Sequence, residues 1–388
     1  MLALVRPLPE QSVPLQNALG RVLVRDIVAS RDQPPFMSSA MDGYALRSAD
    51  APGRLQVAGE SAAGHGFAGR CEAGMAIRIS TGAAVPEGAD TVVIQEDVRR
   101  DEGGILVPAS VAGMNIRPRG CDFSAGTLLL TAGRRLDGVA LSLAAASGAA
   151  EIHVARAPLV TILSSGDELA PPGSEPNPFQ IFDSGTFGIA GLIQSWGGTP
   201  NRLAVEKDDV GAIARAAEQG LQDSDLLVVI GGASVGDHDH ARPALVRLGL
   251  TLAVEKIAVR PGKPTWFGTA SQGLVLGLPG NPASALACAA LFLRPLIEAM
   301  LGRDPSHCIA TTRARLTDAL PANGPREHYL RARLKVDAEG RQIVRAFEDQ
   351  DSSLISVFAA ANALIRLPPD APAMAAGAMV DVLPLEGV

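Results

Sequence analysis

Between residues 226 and 287 three glycine-rich turns each leave a short apolar run: Gly231-Gly232-Ala233-Ser234-Val235-Gly236-Asp237, Pro261-Gly262-Lys263-Pro264 and Leu278-Pro279-Gly280-Asn281-Pro282. Glycine lets backbone N–H groups approach a ligand with no side chain between, and a helix N-terminus adds unpaired donors and partial positive charge. Behind the third turn Asn281 is a favoured N-cap type, Pro282 suits the first helical position, and residues 283–293 continue as an alanine- and leucine-rich helix. Three such turns describe a rim that holds an anion.

Charged side chains surround the rim. Asp167 and Glu168, Asp208 and Asp209, and Asp237 and Asp239 supply carboxylates, while Lys256, Arg260 and Lys263 supply cations. Mg²⁺ is usually held by one or two carboxylates together with substrate phosphates, so this mixture suits metal-dependent phosphate or nucleotide chemistry. Asp208 or Asp209 could equally do no more than cap a helix. The run Asp237-His238-Asp239-His240 reads as a polar loop with one functional carboxylate more readily than as a zinc site. Ser234 has neither a nucleophile-elbow sequence nor an assignable base, and the Walker sequence is absent.

The elements that must position these groups follow from periodicity. Residues 159–163, 202–205, 226–230, 252–259 and 274–278 read as strands, and 184–196, 209–221, 239–248 and 283–301 as helices. Such alternation implies a mainly parallel sheet with helices on both faces and a ligand site beyond the carboxyl ends of its strands. Upstream, residues 14–19 and 136–149 read as helical and 21–28 as a strand. Residues 29–119 form a β-rich unit of short strands such as 76–79 and 91–95 between Gly and Pro turns. After residue 305, strands at 311–316, 329–336, 342–346 and 379–383 make a small β domain. The expected domains are therefore 1–28 with 120–157, 29–119, 158–305 and 306–388.

Composition bounds the function. With 388 residues, 47% hydrophobic and 19% charged, the chain is a multidomain globular protein, not a disordered one. A net charge of −7 and 4% aromatic residues leave neither the basic footprint nor the stacking surface of a nucleic-acid binder. Cys71, Cys121, Cys288 and Cys308 form no Cys-x-x-Cys pair, which fits isolated thiols in a reducing compartment. Arg6, Pro7 and Pro9 interrupt any signal peptide, and Arg294 and Pro295 are expected to break the apolar stretch at 283–301 before it could span a bilayer. The expectation is a cytoplasmic protein that binds neither membrane nor nucleic acid.

Six motifs then occur in order: Ser39-Ala40-Met41-Asp42-Gly43-Tyr44-Ala45; Thr81-Gly82 with Val85-Pro86-Glu87-Gly88-Ala89-Asp90; Ser165-Gly166-Asp167-Glu168-Leu169; and the three glycine-rich turns. Together they resemble the molybdopterin molybdenumtransferase (MoeA) family, which includes the gephyrin E domain, over nearly the whole chain. The resemblance implies an elongated N-terminal domain with an inserted β domain, a three-layer α/β molybdopterin-binding domain and a C-terminal β-barrel. It implies metal-dependent insertion of molybdate into adenylylated molybdopterin with release of AMP, by a homodimer whose site takes in the inserted domain of the other subunit. Adenylyltransferase and apo-molybdoenzyme partners fit this role. By position, Glu168 and Asp239 match the residues that bind the metal, Mg²⁺ or a similar divalent cation, and Asp208 a further site acid. Lys256, Arg260 and Lys263 match basic catalytic positions, Arg260 standing where lysine is expected, and Asp42, Thr81 and Asp122 match site residues of the inserted and N-terminal parts. Gly232, Ser234, Gly236, Pro279 and Pro282 would line the substrate, and Ser284, Arg331 and Ser352 would contact oxyanion. Guanidinium, ammonium and hydroxyl donors are what a tetrahedral dianion requires.

Three other readings stay open on sequence alone. A molybdopterin adenylyltransferase shares the α/β domain but would be a single short domain. A tungstate-inserting paralogue would carry the same motifs. A non-catalytic scaffold on the same fold would have no need of Glu168, Asp208, Asp239 and Lys263.

Overall fold

The computed structural model describes residues 1–231, 240–271 and 273–385. Gly232, Ser234, Gly236 and Asp239 therefore lie outside the described residues. The chain divides into two compact units, Met1–Gln11 with Gly20–Val24 and Val154–Val388, and Ser12–Leu19 with Arg25–His153. The segments expected to make one elongated domain are shared between these units.

In the larger unit, Leu159–Ser164 lies between Thr199–Arg202 and Leu226–Ile230, and Leu226–Ile230 pairs on its other edge with Gly273–Leu278, all parallel. Trp266–Ala270 then runs antiparallel beside Gly273–Leu278, and Thr251–Val254 antiparallel beside Trp266–Ala270. Two reversals restore the parallel direction, so Glu255 and Lys256 emerge on the same edge as the turns after the other strands.

The run Leu226-Leu227-Val228-Val229-Ile230 is fully apolar because both of its faces are buried. Leu226, Val228 and Ile230 point into one core with Ile189, Ile193 and the Pro282–Met300 helix. Leu227 and Val229 point into another with Ile213, Ala217 and Leu245. The sheet thus has helices on both sides, Gly185–Ser195 and Pro282–Met300 on one, Val210–Gln222 and Ala241–Val246 on the other.

Several sequence expectations shift. The strand expected at 202–205 is Thr199–Arg202. The single strand expected at 252–259 is two, and the second, Val259–Arg260, pairs in parallel with Glu327–Val336 of the C-terminal part. Trp266–Ala270 is an unforeseen strand. Its indole sits across from Gly277, where a Cβ would lie 2.0 Å from the ring, so the glycine makes the room that the tryptophan fills. The apolar helix does not break at Arg294: Ala289–Leu293 widens to a π-turn, and Pro295 enters the first turn of the next α segment, where its missing N–H is tolerated. At 19 residues this helix is long and apolar enough to cross a membrane, but it is mostly buried in the core.

After residue 305 a five-stranded barrel closes. Thr312–Leu316 pairs with Gln342–Ala346 and Met379–Pro384, Met379–Pro384 with Ala363–Leu367, and the ten-residue Glu327–Val336 with both Gln342–Ala346 and Ala363–Leu367. Ala314, Val344, Ile365 and Val382 fill it. The smaller unit carries a six-stranded sheet in the order Thr91–Ile94, Gly43–Leu46, Met75–Ile79, Gly53–Ser61, Gly104–Val107, Arg99–Asp101. The helix expected at 14–19 shortens there to one 3₁₀ turn, Leu15–Asn17.

Candidate functional site: two adjoining cavities

At the carboxyl edge of the parallel strands lies a cavity of about 900 Å³. The turn after Leu159–Ser164 brings Glu168, the segment after Thr199–Arg202 brings Asp208, and the turns after Thr251–Val254 and Gly273–Leu278 bring Lys256, Pro279 and Pro282. Two backbone links hold the first two turns together: Glu206 N–H donates to the Ser164 carbonyl at 3.0 Å and Gly166 N–H to the Glu206 carbonyl at 3.1 Å. Glu168 folds back over Gly166, where a Cβ would stand 2.6 Å from its carboxylate.

The alternatives at Asp208 and Asp209 are resolved by their partners. Asp209 caps the Val210–Gln222 helix, its carboxylate accepting the Ala212 N–H at 2.7 Å, and Asp208 lines the cavity. Asn281 departs from expectation in the other direction. It stands at the N-cap of the helix but makes no side-chain cap; its Nδ2 donates to Ser352 Oγ at 2.6 Å. The third glycine-rich turn is thereby tied to the barrel part of the same unit.

Behind this tie is a second cavity of about 350 Å³, lined by Arg260, Lys263, Arg326 and Arg331 with Ser284 and Ser352. Lys263, Pro264, Pro279 and Asn281 line both cavities. Gly262 lets the chain turn here: its φ is +115°, and a Cβ would lie 2.3 Å from the buried Cys288 sulfur. Arg331 is 5% exposed, and its guanidinium donates to the neutral acceptors Gln350 Oε1 at 3.3 Å and Leu354 O at 3.1 Å. Burial holds its pKa below the ordinary value, against the opposing pull of Asp349 and Asp351. A buried cation held by neutral partners gains most from an anion.

His328 and Arg326, absent from the sequence expectations, also line the second cavity. His328 is the register partner of Arg260 across the Val259–Arg260 pairing, a contact between residues 68 apart that no local pattern announces. Burial, followed by the positive charges of Arg260, Arg326 and Arg331, pushes the His328 pKa down to about 4. Arg242 is a further unexpected wall of the larger cavity, its Nη2 donating to the Glu255 carbonyl at 2.9 Å and its guanidinium 5.6 Å from the Trp266 ring.

In the smaller unit Asp42 and Thr81 come together. The Thr81 N–H and hydroxyl both donate to Asp42 Oδ1, at 2.6 and 2.9 Å, and hold its carboxyl below the usual carboxylate range. Asp122 lies on a separate loop, its N–H donating to the Gln33 carbonyl at 3.0 Å.

Comparison with known proteins agrees along the whole chain. Residues 1–148 match the MoeA N-terminal region, 161–299 a probable molybdopterin binding domain, and 313–385 the MoeA C-terminal region. A molybdopterin molybdenumtransferase of Haemophilus influenzae is 34% identical, over 97% of this chain and 95% of that protein. One from a Nostoc species is 33% identical, over 92% of this chain and 84% of its own. The crystal structure of a molybdopterin biosynthesis MoeA protein from Pyrococcus horikoshii superposes with a TM-score of 0.83 at 31% identity, covering 99% of this chain and 96% of that one. Three domain matches in order and full-length relatives, together with two cavities that meet at Lys263, place the chain in the molybdopterin molybdenumtransferase (MoeA) family of molybdenum cofactor biosynthesis enzymes.

Proposed function

We propose that the chain inserts molybdate into adenylylated molybdopterin and releases AMP, the large cavity holding the pterin nucleotide and the small one the oxyanion. The observation that carries this is the wall shared by the two cavities. Lys263, Pro279 and Asn281 border both, so an oxyanion among Arg260, Arg331, Ser284 and Ser352 stands next to a substrate lying along the strand edge.

The chain's own residues do most of the work by position and charge. Lys256 and Lys263 face the phosphates, and Arg331, already desolvated, holds molybdate so that a molybdate oxygen attacks the pterin-side phosphorus while the P–O bond to AMP breaks and AMP leaves. Glu168 and Asp208 are hard oxygen donors beside lysines that attract phosphate, a set that suits Mg²⁺. Asp239 is their proposed companion. When bound, the cation would offset phosphate charge. We propose further that the enzyme is a cytoplasmic homodimer in which Asp42, Thr81 and Asp122 of one subunit serve the cleft of its partner, with an adenylyltransferase upstream and apo-molybdoenzymes downstream.

The test is incubation with adenylylated molybdopterin and molybdate or tungstate, following AMP release and reconstitution of an apo-molybdoenzyme. Molybdate-dependent AMP release is expected, and Lys263→Ala should lower it by about 10²-fold, the usual cost of losing one preorganised charge donor. Faster turnover with tungstate would reassign the oxyanion. No turnover with either would favour a scaffold role.

A further inference from the structure

We propose that Glu298, His307 and Cys308 form a zinc site at the far end of the Pro282–Met300 helix. None of the three lines either cavity described above. Their donor atoms lie within 4.8 Å of one another.

The imidazole is already oriented. His307 Nδ1 is hydrogen-bonded to the Asp304 carbonyl, a pure acceptor, so Nδ1 carries the proton and Nε2 presents its lone pair. A backbone carbonyl on the second ring nitrogen is the usual support of a metal-bound histidine. Nε2 stands 3.7 Å from Cys308 Sγ and 3.9 Å from Glu298 Oε1. In a tetrahedral zinc site, with Zn–N of about 2.0 Å and Zn–S of about 2.3 Å, neighbouring donors are roughly 3.4–3.6 Å apart. The nitrogen–sulfur separation already falls within a few tenths of an ångström of that geometry, and the carboxylate, whose donor lies within 4.8 Å of the other two, has to swing inward to complete the set.

The two oxygens of Glu298 have separate duties. Oε2 accepts from Arg303 Nη1 at 2.8 Å, and Oε1 is the oxygen on the histidine side, 3.9 Å from Nε2. Glu298 and Cys308 are each 2% exposed, whereas the His307 side chain is 39% exposed and gives an ion a way in and a fourth ligand from water. A nitrogen, sulfur and oxygen set selects zinc over Mg²⁺, which takes oxygen donors. Binding forms a Zn–S bond and releases the Cys308 thiol proton to solvent, leaving thiolate and carboxylate to balance the dication. Such an ion would pin the end of the long core helix to the Pro305–Ile309 turn that leads into the barrel.

The test uses the full chain stripped of metal, titrated with Co²⁺ as a spectroscopic probe and with Zn²⁺ against a chromophoric chelator. One equivalent of Co²⁺ should produce a thiolate charge-transfer band that is absent in Cys308→Ser. Zinc affinity should fall at least about 10-fold in His307→Ala. Zinc should raise the Tm by several degrees in the parent and in Glu168→Gln, but not in either of the other variants. Cobalt binding with no thiolate band, zinc binding unchanged by both substitutions, or binding lost with Glu168→Gln would each overturn the proposal. His307 is partly exposed, so His307→Ala carries the test if Cys308→Ser does not fold.

Discussion

His328 shows how a single side chain can report the state of the small cavity. Its folded pKa, about 4, lies below the ordinary histidine value of 6.5. Above pH 6.5 neither the folded nor the unfolded chain carries the proton. Between 6.5 and about 4 the unfolded chain binds a proton that the folded chain refuses, so stability falls as pH falls through that window. The group is only partly buried, and solvent screening reduces the effect to about 1 kcal/mol. His328→Asn should therefore lose less stability than the parent between about pH 7 and about pH 5, measured as the change in Tm. An equal loss in both chains would remove His328 from the account. Gly262 is legible in sequence as a turn but not as a contact. Gly262→Ala meets both a positive φ and the Cys288 sulfur, and should cost roughly 2–5 kcal/mol, part of it recovered by adding Cys288→Ala.

At the scale of elements, adjacent acids divide their labour, and substitution should separate the roles. Asp209→Ala removes the cap of the Val210–Gln222 helix and should cost about 1 kcal/mol while leaving AMP release nearly intact. Asp208→Asn should leave the Tm nearly unchanged and lower AMP release by at least about 10-fold. Matching thermal and kinetic effects in the two variants would show that one of them is misassigned. Sequence could not choose between these acids, since cap preference and cleft position both favour Asp at a strand-to-helix turn. Asn281 illustrates the same limit: its type predicts a cap, but its amide reaches Ser352, 71 residues away. The parallel strands were readable because two buried faces demand unbroken apolar runs such as Leu226–Ile230. Val259–Arg260 was misread because its apolar neighbours continue the pattern of Thr251–Val254, while its true partner strand begins at Glu327.

Across the whole molecule, six short motifs carried the family and its order of parts, but the division of the oxyanion residues was not visible. Arg260, Arg331 and Ser352 converge with Lys263 only because a short strand leaves the α/β sheet and joins the barrel strand Glu327–Val336. The motifs around Asp42 and Thr81 belong to the other unit of the chain, and the two hydrogen bonds that Thr81 donates to Asp42 favour its ionised carboxylate. If each active site draws on two subunits, as proposed, defects in Asp42 and Glu168 must complement. Asp42→Ala and Glu168→Gln chains, each nearly inactive as a homodimer, should be co-expressed with different tags and the mixed dimer isolated. One of its two sites would then carry both defects and the other neither, so AMP release should return to about half the parent rate per dimer. A mixed dimer as inactive as its parents would mean that each chain completes its own site, and a monomeric active enzyme would dispose of the shared site altogether.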